Sequence, residues 1–416
     1  MGTRTRIVVT GLGAITPLGL DVASTWNSIK ENKSGVGPVT RFDPSLLPTK
    51  IAAEVKGFDP RNYMDGKEAR KMDLFSQLAV AAAKEAVKDA GMKEGTFDPT
   101  RVGVILGVGI GGFETVESSH TALLEKGPSR VPPMTIPKLI ANIGPANVAI
   151  MLGLEGPCFA VTTACASGTD AIGNAVYWIE KGACDFVLTG GVESAITLFG
   201  MSGFNVIQAL STKYNDRPTE ASRPFDKDRD GFVMGEGAGI LVLENLEHAR
   251  KRGAKIYAEF GGYGATCDAN HLTAPHPEGK GAIAAMRMAL ADAGLCPEEI
   301  DYINAHGTST PMNDPIETAA IKAVFGEHAY KLKVSSTKSM TGHCLGAAGG
   351  VEALFCVLAI QDQFYPATIN LQNPDPLCDL DYVPNKGVPG VIRAAMSNTF
   401  GFGGHNGIVV FRKYEE

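Results

Sequence analysis

Long apolar runs are missing from this 416-residue chain, and no stretch approaches the ~20 consecutive apolar residues needed to cross a bilayer. Residues 1–6 lead straight into the β-branched run Ile7-Val8-Val9-Thr10 without an apolar h-region of useful length, so neither a secretion signal nor a membrane anchor is expected. The eight cysteines, at 158, 165, 184, 267, 296, 344, 356 and 378, include no Cys-x-x-Cys pair, and most lie within apolar segments. That argues against a zinc cluster or a disulfide framework and fits a reducing, cytoplasmic compartment. Basic residues are in deficit, 38 Lys and Arg against 45 Asp and Glu, and the net charge of −7 argues against nucleic-acid binding.

Several familiar signatures also fail. Neither a Gly-x-Ser-x-Gly elbow nor a Walker-type Gly-x-x-x-x-Gly-Lys-Ser/Thr motif occurs, so serine hydrolysis and nucleotide-phosphate binding lose support. Gly107-x-Gly109-x-x-Gly112 has dinucleotide-fingerprint spacing, but no acidic residue ends a second strand about 20 residues on, and a packing turn fits better. Asp226-x-Asp228-x-Asp230-Gly231 opens like a calcium loop, yet Gly237 stands at the twelfth position, where a bidentate glutamate belongs. A charged structural loop is expected there.

What remains reads as a folded α/β protein. Hydrophobic residues make up 44% and charged residues 20%, a globular profile, and the length suits two packed units or one large α/β body. Many of the 49 glycines fall between apolar runs, where they serve tight turns and close backbone approaches. Strands are predicted at residues 7–10, 102–106, 186–189 and 238–243, with helices at 75–90 and 169–180. The second half repeats the first. A helix ending Lys88-Asp89-Ala90-Gly91 precedes Val102-Gly103-Val104-Ile105, as one ending Ala291-Asp292-Ala293-Gly294 precedes Ile300-Asp301-Tyr302-Ile303. Thr163-Ala164-Cys165-Ala166-Ser167-Gly168 and Thr341-Gly342-His343-Cys344-Leu345-Gly346-Ala347 each open a helix. Two similar α/β halves are expected, residues 1–258 carrying Cys165 and residues 259–416 carrying His306, Lys338 and His343.

Cys165 stands out among the cysteines by its small, polar, turn-forming neighbours. A helix start exposes a thiol to the macrodipole and to free N–H groups, which favour thiolate and can bind an oxyanion. A nucleophilic cysteine also needs groups that handle protons or developing charge. His306 in Asn304-Ala305-His306-Gly307-Thr308-Ser309-Thr310 and His343 in Lys338-Ser339-Met340-Thr341-Gly342-His343 occupy matching glycine-bearing contexts.

These motifs resemble those of the β-ketoacyl-(acyl carrier protein) synthases, most closely the type II, long-chain elongating form. The likeness covers nearly the whole chain, from Val9-Thr10-Gly11-Leu12-Gly13 through Arg223-Pro224-Phe225-Asp226 and Gly235-Glu236-Gly237-Ala238 to Asn398-Thr399-Phe400-Gly401-Phe402-Gly403-Gly404. His405 replaces a residue that is often threonine in the last motif. The resemblance implies a thiolase-like fold, layered α-β-α-β-α, and two-carbon elongation of a Cys165-bound acyl chain by decarboxylative condensation with malonyl-carrier protein. It assigns enolate stabilisation to His306 and His343, orientation of His343 to Lys338, and the oxyanion hole to the N–H groups of Cys165 and Phe402. Phe400 and Phe402 would gate the cysteine, Thr308 and Thr310 would bind the phosphopantetheine arm, and Ile110 and Phe204 would line the acyl pocket. Lys67, Arg70, Lys71 and Arg130 would dock the acidic acyl carrier protein, with an ordinary solvated face as the alternative. No cofactor is required, and Asn304, Glu352, Ser397 and Asn398 correspond to a structural K+ or Na+ site, or else to a buried hydrogen-bond network. A cytoplasmic homodimer is implied, with no nucleic-acid or membrane partner.

Three other readings compete with this one. A biosynthetic thiolase would carry a second cysteine where Gly401-Phe402-Gly403-Gly404-His405 stands, and a chain-length factor would lack Cys165. A ketosynthase of a polyketide or other specialised pathway uses the same chemistry and stays open at this level.

Overall fold

The computed structural model describes residues 5–93 and 95–416. Ten strands lie in one hydrogen-bonded series: β1 (Ile7–Ile15), β2 (Val102–Gly107), β3 (Cys158–Val161), β4 (Phe186–Glu193), β5 (Gly237–Asn245), β6 (Ala258–Cys267), β7 (Tyr302–Asn304), β8 (Lys333–Ser335), β9 (Ala394–Gly401) and β10 (His405–Arg412). Their order is β8-β7-β9-β10-β6-β1-β5-β4-β2-β3. Read outward from the middle, each strand of one half meets its equivalent five places later in the other. The pairings agree in sense as well: antiparallel for β1–β5, β5–β4, β6–β10 and β10–β9, parallel for β4–β2, β2–β3, β9–β7 and β7–β8. Among the described residues, Val8↔Glu259 and Val9↔Ala258 are the ladder pairs that join the two five-stranded sets.

Four helices complete the layers. α1 (Leu74–Asp89) covers β1 and β5 on one outer face, and α3 (Lys280–Ala293) covers β6 and β10 on the other. Between the sheets lie α2 (Ser167–Glu180) and α4 (Ala348–Asp362), in contact with each other and with strands of both halves. This is the α-β-α-β-α thiolase-like arrangement.

The outer layers show why the sequence folds this way. A Cβ added at Gly13 in β1 would stand 1.9 Å from the Ala82 carbonyl oxygen, and one at Gly264 in β6 would stand 2.1 Å from that of Ala285. Each half therefore uses glycine on the strand and alanine on the helix to bring backbone against backbone. Such glycines lower strand propensity, which is why the pattern predicts β1 only to residue 10 although it runs to Ile15. The repeated Asp-Ala-Gly also has a physical cause. Gly91 and Gly294 both adopt φ +64, the left-handed conformation that ends a helix after α1 and α3.

Residues 348–360 of α4 are buried without interruption, because sheets or helices meet every side of it. The 18-residue segment Leu345–Asp362 is long and apolar enough to span a membrane, closer to that length than the sequence pattern suggests. Its 89% burial inside the protein marks it as a core helix. The aspartates of the calcium-like motif serve as staples. Asp226 accepts hydrogen bonds from Arg223 and from the amides of Gln372 and Asn373, and Asp230 accepts from Ser211 and the amides of Thr212 and Lys213.

Candidate active site

The chain enters α2 and α4 through two matching elbows. Ala164 has φ +51 and Leu345 has φ +50, unusual for residues with a Cβ, and each opens one 3-10 turn before its helix. Left-handed alanine or leucine costs of order 1–3 kcal/mol, which the surroundings must offset. At the first elbow the Thr163 N–H donates to Ser167 Oγ (2.9 Å), which donates to the Ala164 carbonyl (2.6 Å). Thr163 Oγ1 donates to Asp170 Oδ2 (2.5 Å), and Asp170 Oδ1 accepts from the Tyr263 hydroxyl of the other half (2.7 Å). The elbows come together because their helix starts lack side chains: a Cβ at Gly168 would lie 2.7 Å from the Gly350 nitrogen.

This contact brings Cys165 and His343 together, with Nε2 of His343 3.1 Å from Sγ. The Leu345 N–H points at His343 Nδ1 (3.3 Å), so Nδ1 accepts and the proton sits on Nε2. Burial first, then Lys338, holds His343 well below the ordinary histidine range, so the ring is neutral and presents an N–H donor towards the sulfur. His306 stands edge-on to it, ring centres 5.3 Å apart, and is held neutral by burial, Lys338 and His343. Glu317 anchors the His306 loop by accepting from the amides of His306 and Gly307, both at 2.8 Å. Lys338 is 1% exposed and paired with Glu352, whose carboxyl burial pushes up to about 7.

Burial pushes the Cys165 thiol up to about 12, against the opposing pull of Lys338 and the Phe402 N–H. A helix start alone favours thiolate, but in this enclosure desolvation outweighs it and the group is a thiol. Among the described residues all eight cysteines are free, and Cys184, Cys344, Cys356 and Cys378 are buried.

A cavity of about 610 Å³ is lined by Cys165, His306 and His343 together with Ile110, Phe204, Thr308, Thr310, Phe400 and Phe402. Thr308 Oγ1 and Thr310 Oγ1 are 2.9 Å apart, and Phe400 lies 5.4 Å from His306 between ring centres. Phe402 and Phe204 face one another at 6.3 Å. Asn304, Glu352, Ser397 and Asn398 are all buried outside the cavity lining, with Asn304 beside Ser397 across β7 and β9, while the Asn398 amide turns to Met286 Sδ (3.8 Å) and Glu317 Oε1 (3.2 Å). Glu352 Oε2, Ser397 Oγ and Asn398 Oδ1 have no hydrogen-bond partner there. Lys67, Arg70, Lys71 and Arg130 are exposed and lie outside the cavity lining. Lys71 pairs with Glu68.

Motif reading passed over the buried carboxylates that hold these loops, Glu193, Glu317 and Asp170, and the Tyr263 that crosses between halves. Glu193 is fully buried at the end of β4, where an acid closing an otherwise apolar strand was the available signal.

A neutral histidine pair over a half-buried thiol, facing one largely apolar cavity, defines a thiol acyltransferase of the condensing type. Residues 4–249 match the family described as "Beta-ketoacyl synthase, N-terminal domain" and residues 257–372 that described as "Beta-ketoacyl synthase, C-terminal domain". The chain belongs to the β-ketoacyl synthase family. It is 52% identical over 410 residues to the 3-oxoacyl-[acyl-carrier-protein] synthase 2 of Synechocystis sp., covering 99% of this chain and 98% of that one. Among solved structures, the ishigamide ketosynthase/chain length factor superposes with a TM-score of 0.94 at 37% identity, covering 99% of this chain and 100% of that one. A type II polyketide ketosynthase bound to its acyl-carrier protein and a hexaketide gives 0.91 at 34%, with the same coverage. The fatty-acid relative is thus much the nearer in sequence, and two-carbon elongation of acyl chains in fatty-acid synthesis is the reaction of this enzyme.

Proposed function

We propose that Cys165 carries the acyl chain and that His306 and His343 serve the malonyl group. The observation that carries this reading is the neutral Nε2–H of His343, 3.1 Å from the thiol, with His306 beside it. Cys165 sulfur attacks the acyl thioester, the carrier thiol leaves with the Cys165 proton, and a Cys165 thioester remains. Malonyl-carrier protein then loses carbon dioxide, and its enolate oxygen accepts hydrogen bonds from the two histidines. The carbanion attacks the Cys165 thioester. The N–H groups of Cys165 and Phe402 hold the oxyanion, and its collapse releases the 3-oxoacyl product and restores the thiol after protonation. Lys338 orients His343 electrostatically, while Glu352 balances its buried charge. Thr308 and Thr310 bind the phosphopantetheine arm, Ile110 and Phe204 line the acyl pocket, and Phe400 at the end of β9 and Phe402 in the glycine-flanked turn after it gate that pocket.

The partner is an acyl carrier protein, acyl- or malonyl-loaded, docked at exposed Lys67, Arg70, Lys71 and Arg130 in the cytoplasm. A second copy of the chain is the other partner. β3 ends the strand series with one edge unpaired among the described residues, and Ile150 and Tyr177, on helices beside it, are 76% and 53% exposed. The unpartnered Glu352 Oε2 and Ser397 Oγ, with Asn304 beside Ser397, suit a hard monovalent cation, and K+ or Na+ there would brace β7, β9 and α4, with Asn398 next along β9.

Incubation with acyl-carrier protein followed by peptide mass spectrometry tests the reading. An acyl mass on the Cys165 peptide is expected; an acyl mass elsewhere, or none in an enzyme that still turns over, would contradict it.

A further inference from the structure

Glu193 has no part in the chemistry above, yet it is 0% exposed and lines the same cavity as Cys165. Its carboxylate accepts from four amides. Oε2 accepts from Gly109 (2.9 Å), Ile110 (3.1 Å) and Gly346 (3.2 Å), and Oε1 accepts from Ile110 and Gly111 (both 3.2 Å). Three of these amides belong to the loop after β2 that presents Ile110 to the cavity; the fourth follows the second elbow. The approach is so close that a Cβ at Gly109 would stand 2.4 Å from Oε2 and one at Gly346 2.7 Å from it. A carboxylate collecting N–H groups from one loop fixes that loop's backbone.

We infer that Glu193 is a specificity-positioning residue, holding the Ile110 wall in place so that chain length is discriminated by the Ile110 side chain rather than by a yielding backbone. This rests on the proposed placement of the acyl chain against Ile110. A long chain reaches further along that wall than a short one, so a shift of the wall is felt unequally by the two. Glutamine at 193 keeps the shape but replaces one acceptor oxygen with a donor, which cannot face amides that are themselves donors.

The test compares kcat/KM for 4-carbon and 14-carbon acyl-carrier donors in the wild type, Glu193→Gln and Ile110→Ala, with folding checked by thermal melting. The 14-to-4-carbon ratio should change about tenfold or more in Glu193→Gln, the scale of a wall displaced by a fraction of an ångström. It should also change in Ile110→Ala. A ratio unmoved in Glu193→Gln, or equal losses on both donors, while Ile110→Ala shifts it, overturns the inference alone. A ratio unmoved in Ile110→Ala overturns the pocket reading and the inference with it. Should Glu193→Gln fail to fold, Gly109→Ala presses a methyl on the same carboxylate from the loop side and is judged by the same ratio.

Discussion

At the first elbow left-handed Ala164 is followed by Cys165; at the second, left-handed Leu345 is followed by Gly346. The scaffold offers the same helix-start position twice, and one carries the nucleophile while the other is empty. The empty one is as constrained as the filled one, since a Cβ on Gly346 would stand 2.3 Å from the Gly109 nitrogen. A backbone from the first half occupies the space that a second side chain would take. His343, just before that elbow, instead reaches across to the sulfur of the first. A second asymmetry lies five residues into the central helices, where α2 has Ala171 and α4 has Glu352, partner of Lys338. Duplication built the frame, and the differences between its copies divide acyl attachment from malonyl activation.

Removing the charge asymmetry should have the largest effect. Lys338→Met leaves Glu352 buried and unpaired, a loss of about 3–5 kcal/mol in unfolding free energy, and adding Glu352→Leu should restore most of it. Chemical denaturation of the two variants reads this directly. Making the elbows alike comes next. Gly346→Ala forces the helix starts apart and should lower condensation about 100-fold, the scale of an ångström of misplacement, while far-ultraviolet circular dichroism stays near wild type.

A smaller effect distinguishes the elbow as read from sequence from the elbow as folded. With its thiol pushed up to about 12, Cys165 should react with iodoacetamide about tenfold faster for each pH unit between 7 and 10. A plateau near neutral pH would mean that the helix start, not burial, sets its ionisation. Tyr263→Phe removes the cross-half hydrogen bond to Asp170 and should cost about 1 kcal/mol in stability, measured by denaturant titration.

Much of this was legible in the chain. Paired motifs at 163–168 and 341–347 reveal two halves, and the small residues around Cys165 reveal a helix start. Three features were not. Gly11 and Gly13 weaken a strand pattern, and only the alanines of α1, some seventy residues away, explain them. The enclosure of Cys165 includes His343, Leu345 and Phe402 from the other half, so local context points towards a thiolate that the enclosure disfavours. Glu193 looks like one acid among many until the amides of two halves converge on it.

The division of labour is tested most directly by measuring malonyl-carrier decarboxylation and condensation side by side in Cys165→Ala, His306→Ala and His343→Ala. Cys165→Ala should abolish condensation yet still release carbon dioxide, and each histidine variant should lose decarboxylation by about 100-fold or more. Condensation by Cys165→Ala at the wild-type rate, or undiminished decarboxylation without either histidine, would contradict the account.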